Sequence, residues 1–196
     1  VARQNWGMKK IIVCSALFFL GSCGGDDSPT EPTTVTVADF LLAANGVTVL
    51  CTGANVGDTG EVGGVIYTAR SEAQIDGLID AENYEPLATT CTSNVTRMTR
   101  MFLEVDDFNQ DIGSWDVSSV TKMGLMFYEA ESFNQDIGSW DVSSVTDLTF
   151  MFQDAESFNQ NLSGWCVSHI ASKPTAFDVG ATSWVLARPV WGTCPS

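Results

Sequence analysis

The chain has 196 residues, with Lys plus Arg 9 against Asp plus Glu 24, a net charge of −15 and a pI of about 4.1. That surplus of acid repels nucleic acid and leaves no basic patch to bind it. One histidine, and six cysteines without a CxxC spacing, exclude His-rich metal sites and argue against zinc.

The N-terminus reads as an export signal. Met8-Lys9-Lys10 precedes the apolar run 11–20, which ends in Leu20-Gly21-Ser22-Cys23. A charged start, a short apolar run and small residues before a cut predict a signal peptide over 1–22, with 1–7 upstream of the true start. The run is too short to span a bilayer. Its small-small-Cys ending resembles a bacterial lipobox, which implies cleavage before Cys23 and lipidation of that thiol. The plainer alternative is an ordinary cleaved signal with an incidental Cys. Residues 23–36, rich in Gly, Asp, Pro and Thr, read as a flexible tether. Their acidic residues behind Cys23 resemble the surface-export signal of Bacteroidetes-type lipoproteins, which implies an outward-facing outer-membrane anchor. A solvated linker needs such residues in any case.

Residues 37–90 predict a small α+β module that caps the repeats C-terminal to it, an independent binding domain being the alternative. Residues 46–51 read as a strand, and 61–67 as a hairpin turning at Gly63-Gly64. A helix opens after Ser71, a good N-cap, and runs to about Asp80; Gln74 supports a capping box only weakly.

From 91 to 177 a 25-residue repeat dominates: residues 108–121 and 133–146 are identical, FNQDIGSWDVSSVT. Met101-Phe102, Met126-Phe127 and Met151-Phe152 recur at that offset, as do Phe108, Phe133 and Phe158, and Trp115, Trp140 and Trp165. Residues 92–102 match 117–127 as a truncated first copy. Ile112, Trp115 and Val117 follow an LxxLxL-like spacing, which predicts one short parallel strand per copy. Met123, Met126-Phe127 and Ala130 predict a helical turn. The fold expected is α/β, a short right-handed leucine-rich-repeat-like solenoid of 25-residue turns, closed by a C-terminal cap at 178–196. The Asn-Gln pairs at 109–110, 134–135 and 159–160 are expected to stack as an asparagine ladder.

Of the six cysteines, Cys14 leaves with the signal and Cys23 would carry lipid. Cys51, Cys91, Cys166 and Cys194 then allow three pairings. Local pairing, Cys51–Cys91 and Cys166–Cys194, is the expectation, since it staples each end for roughly 3–4 kcal/mol apiece.

Catalysis finds no constellation. His169 stands alone in a decaying last copy, and no GxSxG, P-loop or dinucleotide fingerprint occurs. The carboxylates Glu104, Asp106, Asp107, Glu129, Glu131, Asp154 and Glu156 recur as a solvated face would, so a hydrolase is a remote alternative. Asp111, Asp136, Asp116 and Asp141 repeat in register, yet neither an EF-hand nor an RTX calcium motif is present, so a calcium-binding module is a second remote alternative. No catalytic residue, metal site or cofactor is therefore assigned.

Binding is left. With Trp115 and Val117 inward, the strand face would carry Ser114, Asp116 and Ser118, then Ser139, Asp141 and Ser143. Three strands span only about 15 Å. A weak, polar contact with an extracellular protein or glycan, multiplied by many copies, is the expectation. A spacer without a ligand is the alternative. On this reading Asp116→Lys with Asp141→Lys abolishes binding without unfolding.

The phrase FNQDIGSWDVSSVT, with Met126-Phe127, Ala130 and Phe133 after it, resembles the repeat of BspA-like leucine-rich-repeat surface proteins, which also occurs in mycoplasma lipoproteins. The ending NLSGWCVSHIASKPTAF and PVWGTCP resembles the terminal segment of flavobacterial members. The resemblance covers about 91–195 and implies a cell-surface repeat protein with adhesive roles and no defined catalytic residues. Arg100 and Leu125 depart from it, standing where small polar residues are usual.

Overall fold

The computed structural model describes residues 39–195; the expected signal, Cys23 and the tether lie outside the described residues. Strand β1 (Asp39–Leu42) pairs antiparallel with β2 (Val49–Thr52), Asp39 opposite Thr52 and Leu42 opposite Val49. The expected strand at 46–51 thus begins later. Its partner is not visible in the sequence, because Leu41 and Leu42 are both exposed and break the alternation that marks a half-buried strand. Strands β3 (Thr59–Val62) and β4 (Val65–Ala69) form the expected hairpin. Gly63 and Gly64 are both left-handed (φ 61° and 86°), as a tight two-residue hairpin turn requires. The short β5 (Thr90–Cys91) joins β4 in parallel, giving a second sheet in the order β3-β4-β5.

Helix α1 (Glu72–Asp80) starts on a complete capping box. The Ser71 hydroxyl accepts from the Gln74 N–H and the Gln74 side chain accepts from the Ser71 N–H, both at 3.3 Å. Its apolar edge buries Ile75 and Ile79 against the repeat core. A 3-10 turn, Glu85–Thr89, follows. Val49, Cys51, Ala54, Ala69 and Cys91 make a small separate core around the Cys51–Cys91 disulfide.

The repeat region overturns the expected α/β leucine-rich-repeat-like solenoid. Among the described residues, regular structure amounts to two small sheets and one α-helix, all ending by Cys91. Beyond that point the copies hold turns and bends, with only isolated bridges linking Arg97, Lys122 and Asp147. Two local effects explain the difference. Where strands were expected, the Asp116 and Asp141 carboxylates accept from the Ser118 and Ser143 N–H groups (3.1 and 3.0 Å), and the Val120 N–H turns back to the Val117 carbonyl. Side chains that bond their own backbone compete with a strand ladder. Where helical turns were expected, Arg100 and Glu104, Leu125 and Glu129, and Phe150 and Asp154 are left-handed, with φ between 54° and 64°. An α-helix cannot pass through such residues.

The backbone groups are satisfied differently. Alternate N–H groups donate to the next copy: Phe102 to Met126 and Phe127 to Met151, both at 2.9 Å, and Glu104 to Tyr128 and Glu129 to Gln153, both at 2.8 Å. The intervening ones close four-residue turns, as Leu103 does to Arg100. Copies are therefore tied together through their main chains, which is how buried amides must be accounted for without sheets or helices.

Phenylalanine fills the space between copies. Phe102, Phe127 and Phe152 stack at 5.5 Å steps, and Phe108, Phe133 and Phe158 at 5.7 and 5.8 Å. The two columns lie face to face within each copy at about 4 Å. At both ends an edge-on ring closes the stack: Tyr84 against Phe108 at 86°, and Trp184 against Phe158 at 85°. Such tilted pairs set a positive ring edge on a negative face, a favourable end to a parallel column.

Candidate functional site

The identical phrase is committed to packing. Trp115, Trp140 and Trp165 are buried, and each indole N–H donates to a carbonyl 28 residues earlier: Leu87, Ile112 and Ile137, at 2.9, 3.3 and 3.0 Å. The Asn109 side chain accepts from the Asn134 N–H (3.0 Å) and the Gln135 amide (2.9 Å). Asn134 serves Asn159 and Gln160 likewise, and Asn159 serves the N–H groups of Val185 and Leu186. This is the expected asparagine ladder, carried into the C-terminal segment. At Gly113 and Gly138 an added Cβ would meet the next copy's carbonyl at 2.8 and 2.7 Å, so glycine is required there by space.

That commitment removes much of the expected binding face. Asp116 is 6% exposed; its carboxylate accepts from the Ser93 hydroxyl and the Ser118 hydroxyl, both at 2.6 Å. Ser114 gives its carbonyl to the Val49 N–H of β2 (2.8 Å), and Asn45 reaches the Ser139 carbonyl at 3.4 Å. The N-terminal hairpin thus lies along the line of Ser114 and Ser139. Asp141 is exposed, while Ser118 and Ser143 are half-buried beside their Asp partners. The six residues do not form an open face, and Asp116→Lys would bury a cation in place of a bonded carboxylate rather than spare the fold.

An open groove of about 400 Å³ lies elsewhere, lined by Arg100, Leu103, Leu125, Tyr128, Phe150 and Gln153, with Glu104 at its rim. These residues come from two columns, 100/125/150 and 103/128/153. The first column is the left-handed one (φ 64°, 62° and 58°). Leu103, Leu125, Tyr128 and Phe150 are all half-buried. A hydrogen bond to Glu129, then partial burial and the charges of Glu129, Asp154 and Glu104, hold the Tyr128 phenol above its ordinary range. The internal signal for this groove is present in the sequence. Across the copies starting at 97, 122 and 147, three columns carry a different residue every time: 97/122/147, 100/125/150 and 103/128/153. The first lies at the bridge, where Arg97 pairs with Glu72 at 3.0 Å; the other two line the groove.

His169 is exposed in the last copy. Glu104, Asp106 and Asp107 edge a second, acidic hollow with Asp80 and Glu82. Among the described residues no three of His, Cys, Asp and Glu converge to hold a metal ion. Cys166 and Cys194 form the second disulfide, with Cys194 exposed. Near it Asp178 receives both Lys173 and Arg188, the latter at 3.1 Å, and Arg188 also lies 4.5 Å over the Trp184 ring. Burial pushes the Asp178 carboxyl up, but the hydrogen bonds and charges of those two cations outweigh it and hold it below the usual carboxylate range.

Residues 75–184, more than half of the chain, match DUF285, described as a Mycoplasma protein of unknown function, and the chain belongs to that family. No curated protein and no solved structure matches it.

Proposed function

We propose that this chain is a non-enzymatic surface protein, anchored outside the cell through a lipid on Cys23, whose repeat copies bind an extracellular protein or glycan. Four features support the reading. Residues 8–23 read as a lipoprotein signal, and the repeat resembles that of BspA-like surface proteins. Two disulfides suit an oxidising compartment. The observation that carries the binding part is the groove: its two lining columns differ in all three copies, while the packing phrase at 108–121 recurs unchanged at 133–146. Attachment of many copies to one cell turns a weak contact into avid binding.

Protease shaving of intact cells, followed by mass spectrometry of the N-terminal peptide, tests the placement. Release of the repeat region together with a diacylated Cys23 is expected. A protected repeat region, or an unmodified Cys23, defeats the surface-lipoprotein reading.

A further inference from the structure

We infer that the groove over columns 100/125/150 and 103/128/153 receives an extended peptide segment of a partner protein in which basic and apolar side chains alternate. This rests on the reading above and specifies the chemistry of the partner.

The first support is the choice of residues at left-handed positions. An L-residue there costs roughly 1–2 kcal/mol relative to right-handed backbone, and glycine escapes that cost. Stability alone favours Gly or Asn at 100, 125 and 150. The chain instead places Arg, Leu and Phe there, three bulky side chains of different kinds, each lining the same groove. Strain kept at a surface where packing does not demand it marks a residue retained for what it presents. Neighbouring positions in the same copies, Met101-Phe102, Met126-Phe127 and Met151-Phe152, are buried and do not vary.

The second support is the floor. Leu103, Leu125, Tyr128 and Phe150 lie side by side, half-buried, across three copies whose rings step by 5.5 Å. A floor of two aliphatic and two aromatic side chains rewards apolar groups on a ligand. A glycan wants hydrogen-bonding side chains converging on its ring hydroxyls. The one amide lining the groove, Gln153, already donates to Asp154 at 3.1 Å.

The third support is charge. Glu104 lines the groove, Glu129 and Asp154 follow its lining residues Tyr128 and Gln153 in sequence, and the charges of all three act on the Tyr128 phenol. Arg100 is the single cation among the lining residues, on a chain of net charge −15. Complementarity therefore selects a cationic partner and rejects an acidic or phosphorylated one.

The test is selection of a displayed random peptide library on the purified full chain and on the double variant Leu125→Asn, Phe150→Asn. Asparagine suits a left-handed backbone, so this variant should keep its fold, checked by circular dichroism and melting; if it unfolds, Tyr128→Ala replaces it. Enriched peptides should alternate Lys or Arg with Leu, Phe or Tyr. They should bind the variant about tenfold more weakly or worse, and Glu104→Gln with Glu129→Gln should weaken them further while flattening their salt dependence. An acidic or featureless consensus, or peptides indifferent to these variants, overturns the inference. So does a glycan-array signal that the double variant loses, although that result leaves the surface-binding reading intact. Protection from protease on intact cells removes that reading without touching the groove.

Discussion

Residues 108–121 recur unchanged at 133–146, whereas the run before them, 97–107 against 122–132, differs at seven positions. In the first run several side chains tie one copy to the next. Asn134 accepts from the following copy while its own N–H donates to the preceding one, and Trp140 sends its indole N–H back to Ile112. A change there must suit both neighbours at once, which holds the run still. In the second run the unchanged Phe102 and Phe127 still stack between copies, but at the positions that differ the contacts pass through main-chain N–H and C=O groups, from Arg100 to Gly124 and from Leu125 to Thr149. Main-chain bonds do not depend on the side chain, so those positions are free to differ. Identity between copies therefore marks structural duty, and divergence marks the surface that the proposed reading gives to a partner.

The comparison breaks most visibly if an invariant column tolerates truncation. Phe127→Ala removes a ring stacked on Phe102, Phe133 and Phe152, and should cost about 3–5 kcal/mol in chemical denaturation. A loss under about 1 kcal/mol would mean that neighbouring copies do not depend on the ring columns. The next effect separates two members of one column. Asp116→Ala removes a buried acceptor from the half-buried hydroxyl and amide donors of Ser93 and Ser118 and should cost about 2 kcal/mol. Asp141→Ala, with an exposed carboxylate capping only the Ser143 N–H, should cost under about 1 kcal/mol. Equal losses would show that burial by the N-terminal hairpin plays no part.

Much of this is legible in the residues, and the failures share one cause. The columns of Phe, Met and Trp, the asparagine ladder, the hairpin at Gly63-Gly64 and the helix after Ser71 all follow from side-chain type and spacing. Apolar spacing reports which side chains go inward, but not how the backbone between them closes its hydrogen bonds. Trp115 and Val117 are buried as a strand would bury them, yet Asp116 between them is buried too, which no alternating strand permits. Met123, Met126 and Ala130 fit a helical stripe, yet left-handed Leu125 and Glu129 lie inside it. Neither residue type advertises that conformation, so the leucine-rich-repeat pattern is the natural misreading. The groove escapes any reading built on the residues that the copies share, because its lining is drawn from those that differ.

Acid should weaken the C-terminal end selectively. With its folded-state carboxyl held below the ordinary value of about 3.9, Asp178 contributes stability that is fully present above that value and fades as pH falls through the lower folded one. The melting temperature of Asp178→Asn should lie below that of the parent chain near neutral pH, and the gap should narrow as pH falls below the ordinary carboxylate value. A gap that persists in acid would assign the effect to shape rather than to the charges of Lys173 and Arg188.

The smallest effect has the opposite sign. Phe150 is half-buried at φ 58°, and its N–H donates to the Thr175 carbonyl at 3.0 Å. Phe150→Asn keeps that main-chain bond, relieves part of the left-handed strain and gives up some apolar contact in the groove. The balance should leave the fold unchanged or raise its stability by up to about 0.5 kcal/mol. Phe152→Asn, two residues along and fully buried, should unfold the region. A divergent residue that can be replaced without loss of stability, beside an invariant one that cannot, is the pattern expected if the groove side chains are kept for a partner. A Phe150→Asn chain destabilised by more than about 1 kcal/mol would instead place Phe150 among the packing residues, and divergence between copies would no longer mark the binding surface.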